Sequence, residues 1–112
     1  MYFLVQLLYT SDDRTDIGPD HEPFIDGLIA RNVVLMGGHF EDPPWPGVGA
    51  AYVLRCATLD EARAIAERDP SVVAGHAIAS VHAWELVAIN PAAADEEIVF
   101  RPSDIRRTNG PS

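Results

Sequence analysis

The stretch Thr58-Leu59-Asp60-Glu61-Ala62-Arg63-Ala64-Ile65-Ala66-Glu67-Arg68-Asp69-Pro70, continued by Ser71-Val72-Val73-Ala74-Gly75, decides how this chain folds. Its head has the form of a capping box, in which the Thr58 hydroxyl and the Glu61 carboxylate each take a free backbone donor. Leu59, Ala62, Ile65 and Ala66 then supply one apolar stripe, which predicts a helix ending near Arg68. Asp69 precedes a proline and is pushed out of the helical region. Pro70 can open a new turn, and Gly75 can close it in the left-handed conformation.

Strands flank this helix. Ala50 to Cys56 precedes it, and Ala77 to Ile89 reads as a long final strand. Further out, Tyr2 to Tyr9 is a strand that gives way to the polar run Thr10 to Asp16. After Gly18-Pro19, the residues Phe24, Ile25, Leu28 and Ile29 recur at helical spacing, which predicts a helix over 19–31. Val33 to Met36 is a short apolar strand running into Gly37-Gly38, and Asp42 to Gly49 is too rich in breakers for regular structure. The order is β-α-β-β-α-β, the α+β pattern of a ferredoxin-like sandwich with two helices on one face of an antiparallel sheet. Residues 1–90 form that domain. Residues 91–112 read as a partly mobile C-terminal extension whose apolar island, Ile98-Val99-Phe100, can dock on the body or on a partner.

In the first strand Tyr2, Leu4 and Leu8 alternate with Phe3, Val5 and Leu7, so both faces are apolar although helices cover only one. Ala51, Val53, Ile78, Trp84 and Leu86 extend the excess. An uncovered apolar face of that size is most economically covered by a second copy of the same sheet, so a homodimer is expected.

Composition narrows the function. The 112 residues carry a formal charge of −9, and the eight basic side chains, all arginine, are scattered singly until the tail. No basic stripe exists to neutralise phosphates, so neither nucleic acid nor an anionic membrane is an expected partner. The apolar start is far shorter than a membrane span of about 20 residues and lacks a positive leader, so the expected location is cytoplasmic. The absence of lysine removes Schiff-base chemistry and a covalently held pyridoxal. The single cysteine, Cys56, excludes an internal disulfide and reads as a small core residue.

Two short stretches carry chemistry. Pro19-Asp20-His21 and Arg68-Asp69-Pro70 each begin a helical turn, and a fold that joins these turns pairs the imidazole of His21 with the carboxylate of Asp69. Such a pair makes an acid/base or nucleophilic site. His21 lies on the buried stripe of its helix, where it also reads as a core histidine bonded to backbone. Asp69 also reads as the N-cap of the turn opened by Pro70. His39, His76 and His82 lack the short spacing of a zinc or haem site, and no metal or cofactor is expected. Ser80, His82 and Trp84 share one strand face, which either lines a pocket or packs at the dimer interface. Arg55, the polar member of the Ala51, Val53, Arg55 face, either holds an anionic substrate or pairs with Glu85.

Several of these pieces resemble the YCII-related (YciI-like) family of the dimeric α/β-barrel class. They are the opening strand into Leu8-Tyr9, Gly18-Pro19-Asp20-His21, Leu35-Met36-Gly37-Gly38, the helix running into Asp69-Pro70-Ser71-Val72-Val73-Ala74-Gly75, and Ser80-Val81-His82-Ala83-Trp84. The resemblance implies that sheets of two copies pack face to face and that His21 and Asp69 form the active-site pair. Relatives in that class include enzymes of chlorinated aromatic breakdown, a lactone isomerase and metal-free monooxygenases. The chain departs from the family at His39, which stands where a proline commonly follows the glycine, and in its longer tail.

These readings converge on a small cofactor-independent enzyme in which His21, oriented by Asp69, acts on a cyclic or aromatic metabolite by isomerisation, dehydration or loss of halide. His39, Arg55, Ser80, His82 and Trp84 are the candidate substrate-binding residues. The alternative is a non-catalytic homodimeric ligand-binding or interaction module, in which His21 and Asp69 serve capping and packing.

Overall fold

The computed structural model describes residues 1–10, 18–40, 47–95 and 98, with residues 18–21 described by their backbone. Strand β1 (Tyr2–Tyr9) is followed by α1 (Gly18–Ala30), β2 (Val34–His39), β3 (Gly47–Arg55), α2 (Leu59–Ala66), the short α3 (Pro70–Val73) and β4 (Ala77–Trp84). The strands form one antiparallel sheet in the order β2-β3-β1-β4, and the expected βαββαβ sandwich is what the chain adopts.

Local chemistry sets the element ends. Thr58 caps α2 by accepting from the Glu61 N–H at 3.1 Å, and the Glu61 carboxylate accepts from the Ala57 N–H at 3.0 Å, one residue before the ideal capping box. Asn32 closes α1 in the left-handed region (φ 58°), with Asn32 N–H bonded to Ile29 O and Val33 N–H to Leu28 O, a Schellman ending. Gly75 (φ 81°) ends the turn that Pro70 begins.

Three boundaries differ from the sequence expectation. β2 continues through Gly37-Gly38 to His39, because β3 offers it a ladder as far as Ala50. β3 starts at Gly47 inside the breaker-rich run, because β1 pairs with it as far as Tyr9 opposite Gly47. β4 stops at Trp84 instead of Ile89, since Trp84 faces Tyr2, the first residue of β1, and the ladder ends there. A 3-10 turn follows at Pro91–Ala93, capped by the Asn90 side chain. Residues 96, 97 and 99–112 of the expected extension lie outside the described residues.

The core sits between the sheet and the helices. Phe3, Val5 and Leu7 of β1, with Ala50, Tyr52 and Leu54 of β3, meet Ile25 and Leu28 of α1 and Ala62, Ile65 and Ala66 of α2. Tyr2, Leu4, Gln6 and Leu8 alternate onto the other face, which no described helix covers. Large apolar side chains stand exposed there, including Leu8, Ile78 and Trp84.

Candidate functional site

Asp69 is wholly buried at the junction of α2 and α3. The proline at position 70 turns it out of the helix (φ −57°, ψ 129°), and the carboxylate folds back over the turn that follows. Its Oδ1 accepts from the Ser71 N–H at 2.9 Å and from the Ser71 hydroxyl at 2.7 Å. Its Oδ2 accepts from the Tyr52 hydroxyl at 3.2 Å. A carboxylate at that depth is tolerable only because donors converge on it.

Tyr52 and Ser71 were not singled out in the sequence, though a signal for Tyr52 was present. It alternates with Ala50, Leu54 and Cys56 onto the helix-covered face, and a phenol buried there requires an acceptor. Burial first, and then the charge and hydrogen bond of Asp69, push the Tyr52 phenol well above its ordinary value. It is therefore a fixed donor throughout the physiological range. Tyr52 sits directly across from Gly37 of β2, where a Cβ would fall 2.9 Å from the Tyr52 Cβ.

The end of the sheet around Asp69 is tightly clipped. The Thr10 N–H donates to His76 O at 2.9 Å, the Thr10 hydroxyl to Gly75 O at 3.3 Å, and the His76 N–H to Ser71 O at 2.9 Å. Next to this, the Tyr9 ring occupies the space above Gly49 that any Cβ there would fill. By register, His39 shares the face of Ala50 and Tyr52 at the outer strand and is exposed.

Helix α1 connects the end of β1 to the start of β2 and packs against α3. Its last turn is tied to the opposite end of the sheet, where the Arg55 N–H donates to Val33 O at 2.7 Å. The backbone of its first turn, which carries His21, therefore lies over the same end of the sheet as Asp69. The side chain of His21 lies outside the described residues.

The remaining candidates divide between the two faces. Arg55, Ser80, His82 and Trp84 are cross-strand neighbours of Tyr2, Gln6 and Leu4 and point to the uncovered face, away from Asp69. There the Ser80 hydroxyl and the His82 Nε2 lie 2.8 Å apart in a hydrogen bond. A cleft of about 240 Å³ lined by Tyr2, Asn32, Val34, Leu35 and Arg55 opens at the end of the sheet remote from Asp69. The six candidates whose side chains are described therefore stand on two sides of the sheet. Asp69 and His39 belong to the helix-covered side, and Arg55, Ser80, His82 and Trp84 to the other.

Cys56 is buried as expected, and burial together with the nearby Glu61 charge raises its thiol above the ordinary value. Among the described residues no group of three His, Cys, Asp or Glu stands close enough to hold a metal. No described helix is long and apolar enough to cross a membrane.

Comparison with known proteins adds three findings. The sequence model of the YCII-related domain matches residues 1–85. The uncharacterized protein YjpA of Bacillus subtilis (strain 168) is 35% identical over 66 residues, a match spanning 59% of this chain and 73% of that protein. Among solved structures, 5-chloro-2-hydroxyhydroquinone dehydrochlorinase (TftG) from Burkholderia phenoliruptrix AC1100, in complex with 2,5-dihydroxybenzoquinone, superposes with a TM-score of 0.63. That match covers 76% of this chain and 94% of the neighbour at 20% sequence identity, and it is a likeness of fold.

Proposed function

The chain belongs to the YCII-related family, and from that premise we propose that it is a small homodimeric enzyme in which His21 and Asp69 perform acid/base or nucleophilic chemistry on a cyclic or aromatic metabolite. The observation that carries this reading is the wholly buried Asp69 carboxylate, held by Ser71 and Tyr52 at the end of the sheet reached by the first turn of α1. In this reading the imidazole bonds to the Asp69 carboxylate, which fixes its tautomer and stabilises its charged form once it has accepted a proton. The exposed His39 lies on the same side of the sheet.

The fold neighbour is a dehydrochlorinase of a chlorinated hydroxyhydroquinone, and loss of HCl from such a ring suits a single positioned base. The base accepts a ring hydroxyl proton while the chlorine-bearing carbon takes one up, so that the ring passes to its keto form. A second ring hydroxyl then loses its proton as the C–Cl bond breaks and chloride departs with the bonding pair. The product is a quinone, the balance closes on HCl, and no external electron acceptor is consumed. The proposed dimer rests on the apolar face bearing Leu8, Ile78 and Trp84, which a second sheet would cover.

The test is chloride release from 5-chloro-2-hydroxyhydroquinone and related chlorinated substrates, comparing the native chain with His21→Gln and Asp69→Asn. Turnover that falls by roughly 10²-fold in either variant supports the dyad. One observation favours a second reading: the bonds from Ser71 to Asp69 are those of an N-cap. Saturable binding of such compounds without turnover, unaffected by either substitution, would identify a binding module.

A further inference from the structure

We propose that Tyr52 is a positioning residue that aims the Asp69 carboxylate and moderates its pull on the imidazole of His21. This inference rests on the His21–Asp69 reading above and adds a residue that the reading does not require.

The geometry separates Tyr52 from the other donors. Both Ser71 bonds go to Oδ1 and come from two residues along the chain, so they are the bonds of a turn and would form around any Asp-Pro-Ser cap. The Tyr52 bond goes to Oδ2 and comes from the sheet, 17 residues away in sequence. It thus decides how the second oxygen is oriented relative to β3 and to the first turn of α1. A carboxylate oxygen has two acceptor positions, and Tyr52 occupies one of those on Oδ2. Its phenol is 4% exposed and stays protonated, so the bond is always donated and never reversed.

A donor that is always present draws negative charge toward itself. The Asp69 carboxylate then stabilises a facing imidazolium less than a bare carboxylate would. The backbone of Gly37 makes the placement possible, since a side chain at that position would collide with the root of Tyr52. Other titratable or charged groups on the surrounding elements are His76 before β4, Asp20, Glu22 and Asp26 on α1, and Asp60, Glu61, Arg63, Glu67 and Arg68 on or just after α2. They are common to every variant below and cancel in the comparison.

The experiment is an NMR titration of the His21 ring with side-chain nitrogen detection of its tautomer, in the full chain and in Asp69→Asn, Tyr52→Phe and the double variant. The titration midpoint is expected to fall in Asp69→Asn, to rise in Tyr52→Phe, and to show no added rise from Tyr52→Phe once Asp69 is Asn. Site-specific 3-fluorotyrosine at position 52, a stronger donor of nearly the same shape, is expected to lower the midpoint and serves if Tyr52→Phe does not fold. A midpoint that responds to Asp69→Asn but to neither change at Tyr52 overturns the role assigned to Tyr52 and leaves the dyad standing. A midpoint indifferent to Asp69→Asn overturns the dyad itself.

Discussion

Gly37 on β2 and Tyr52 on β3 are direct cross-strand partners, and the glycine leaves open the space in which the Tyr52 side chain rises toward Asp69. A methyl at residue 37 would lie 2.9 Å from the Tyr52 Cβ, with the Ala51 carbonyl oxygen at 3.4 Å, so relief requires the backbone of one strand to move. Gly37→Ala is expected to destabilise the fold by about 1–2 kcal/mol as an overpacked site. Gly38→Ala, with nothing within 4 Å of its Cβ position, should change little and is the matched control. Urea unfolding of both variants measures the difference.

Asp69 carries structural weight whatever its chemistry. Asp69→Ala leaves the Ser71 N–H, the Ser71 hydroxyl and the Tyr52 hydroxyl buried without their acceptor, and a loss of about 3 kcal/mol is expected. Asp69→Asn retains an oxygen for the cap and should lose about half as much. Equal losses in the two variants, measured by denaturant midpoint, would show that the cap bonds do not matter.

Stability should respond to alkaline pH through Tyr52. The folded chain holds the phenol protonated well above the ordinary value of 10.0, whereas the unfolded chain releases that proton near 10. Below that value both states carry the proton and the group contributes no slope. Above it the unfolded state holds fewer protons, so stability falls as pH rises, by up to about 1.4 kcal/mol per pH unit for one proton. Tyr52→Phe should flatten this component of the stability curve between about pH 9 and pH 11.

Cys56 provides a probe of global opening. Its thiol is buried and raised above its ordinary value, so thiolate is scarce in the folded state. Alkylation by iodoacetamide at neutral pH should be at least about 10-fold slower than for the urea-unfolded chain, in line with the depletion and shielding of the thiolate. Equal rates would mean that the β3–α2 junction opens independently of the rest.

The uncovered sheet face makes a prediction about assembly. Ile78 is 59% exposed near the start of β4 on the face opposite the helices. Ile78→Glu places a charge where the proposed second sheet would pack, and it should convert a dimer to a monomer in light scattering while leaving the circular dichroism spectrum intact. A native chain that is already monomeric at micromolar concentration would remove the basis for a shared interface.

Much of this molecule was legible in one dimension because the signals were local. The capping box at Thr58, the proline after Asp69, the left-handed closure at Gly75 and the helical spacing of Phe24 to Ile29 each depend on residues a few positions apart, and each element formed where they placed it. The double-sided apolar pattern of β1 likewise marks an open sheet face in the sequence itself. Strand ends were less legible, because a strand stops where its neighbour stops. Trp84 ends β4 by facing Tyr2, and His39 belongs to β2 because Ala50 lies beside it.

The composition of the site was decided by tertiary structure alone. Nothing along the chain joins Tyr52 to Asp69, because that hydrogen bond depends on the Tyr52 side chain of β3 reaching the turn between α2 and α3 and on a glycine one strand away. The same alternation that turned Tyr52 toward the helices turned Arg55 to the other face, and it sent Ser80, His82 and Trp84 there too. Residue types and spacing thus determined the elements and their order. Which polar groups share a buried space was determined by register and by the face of the sheet to which each side chain is assigned, and these exist only once distant strands have paired.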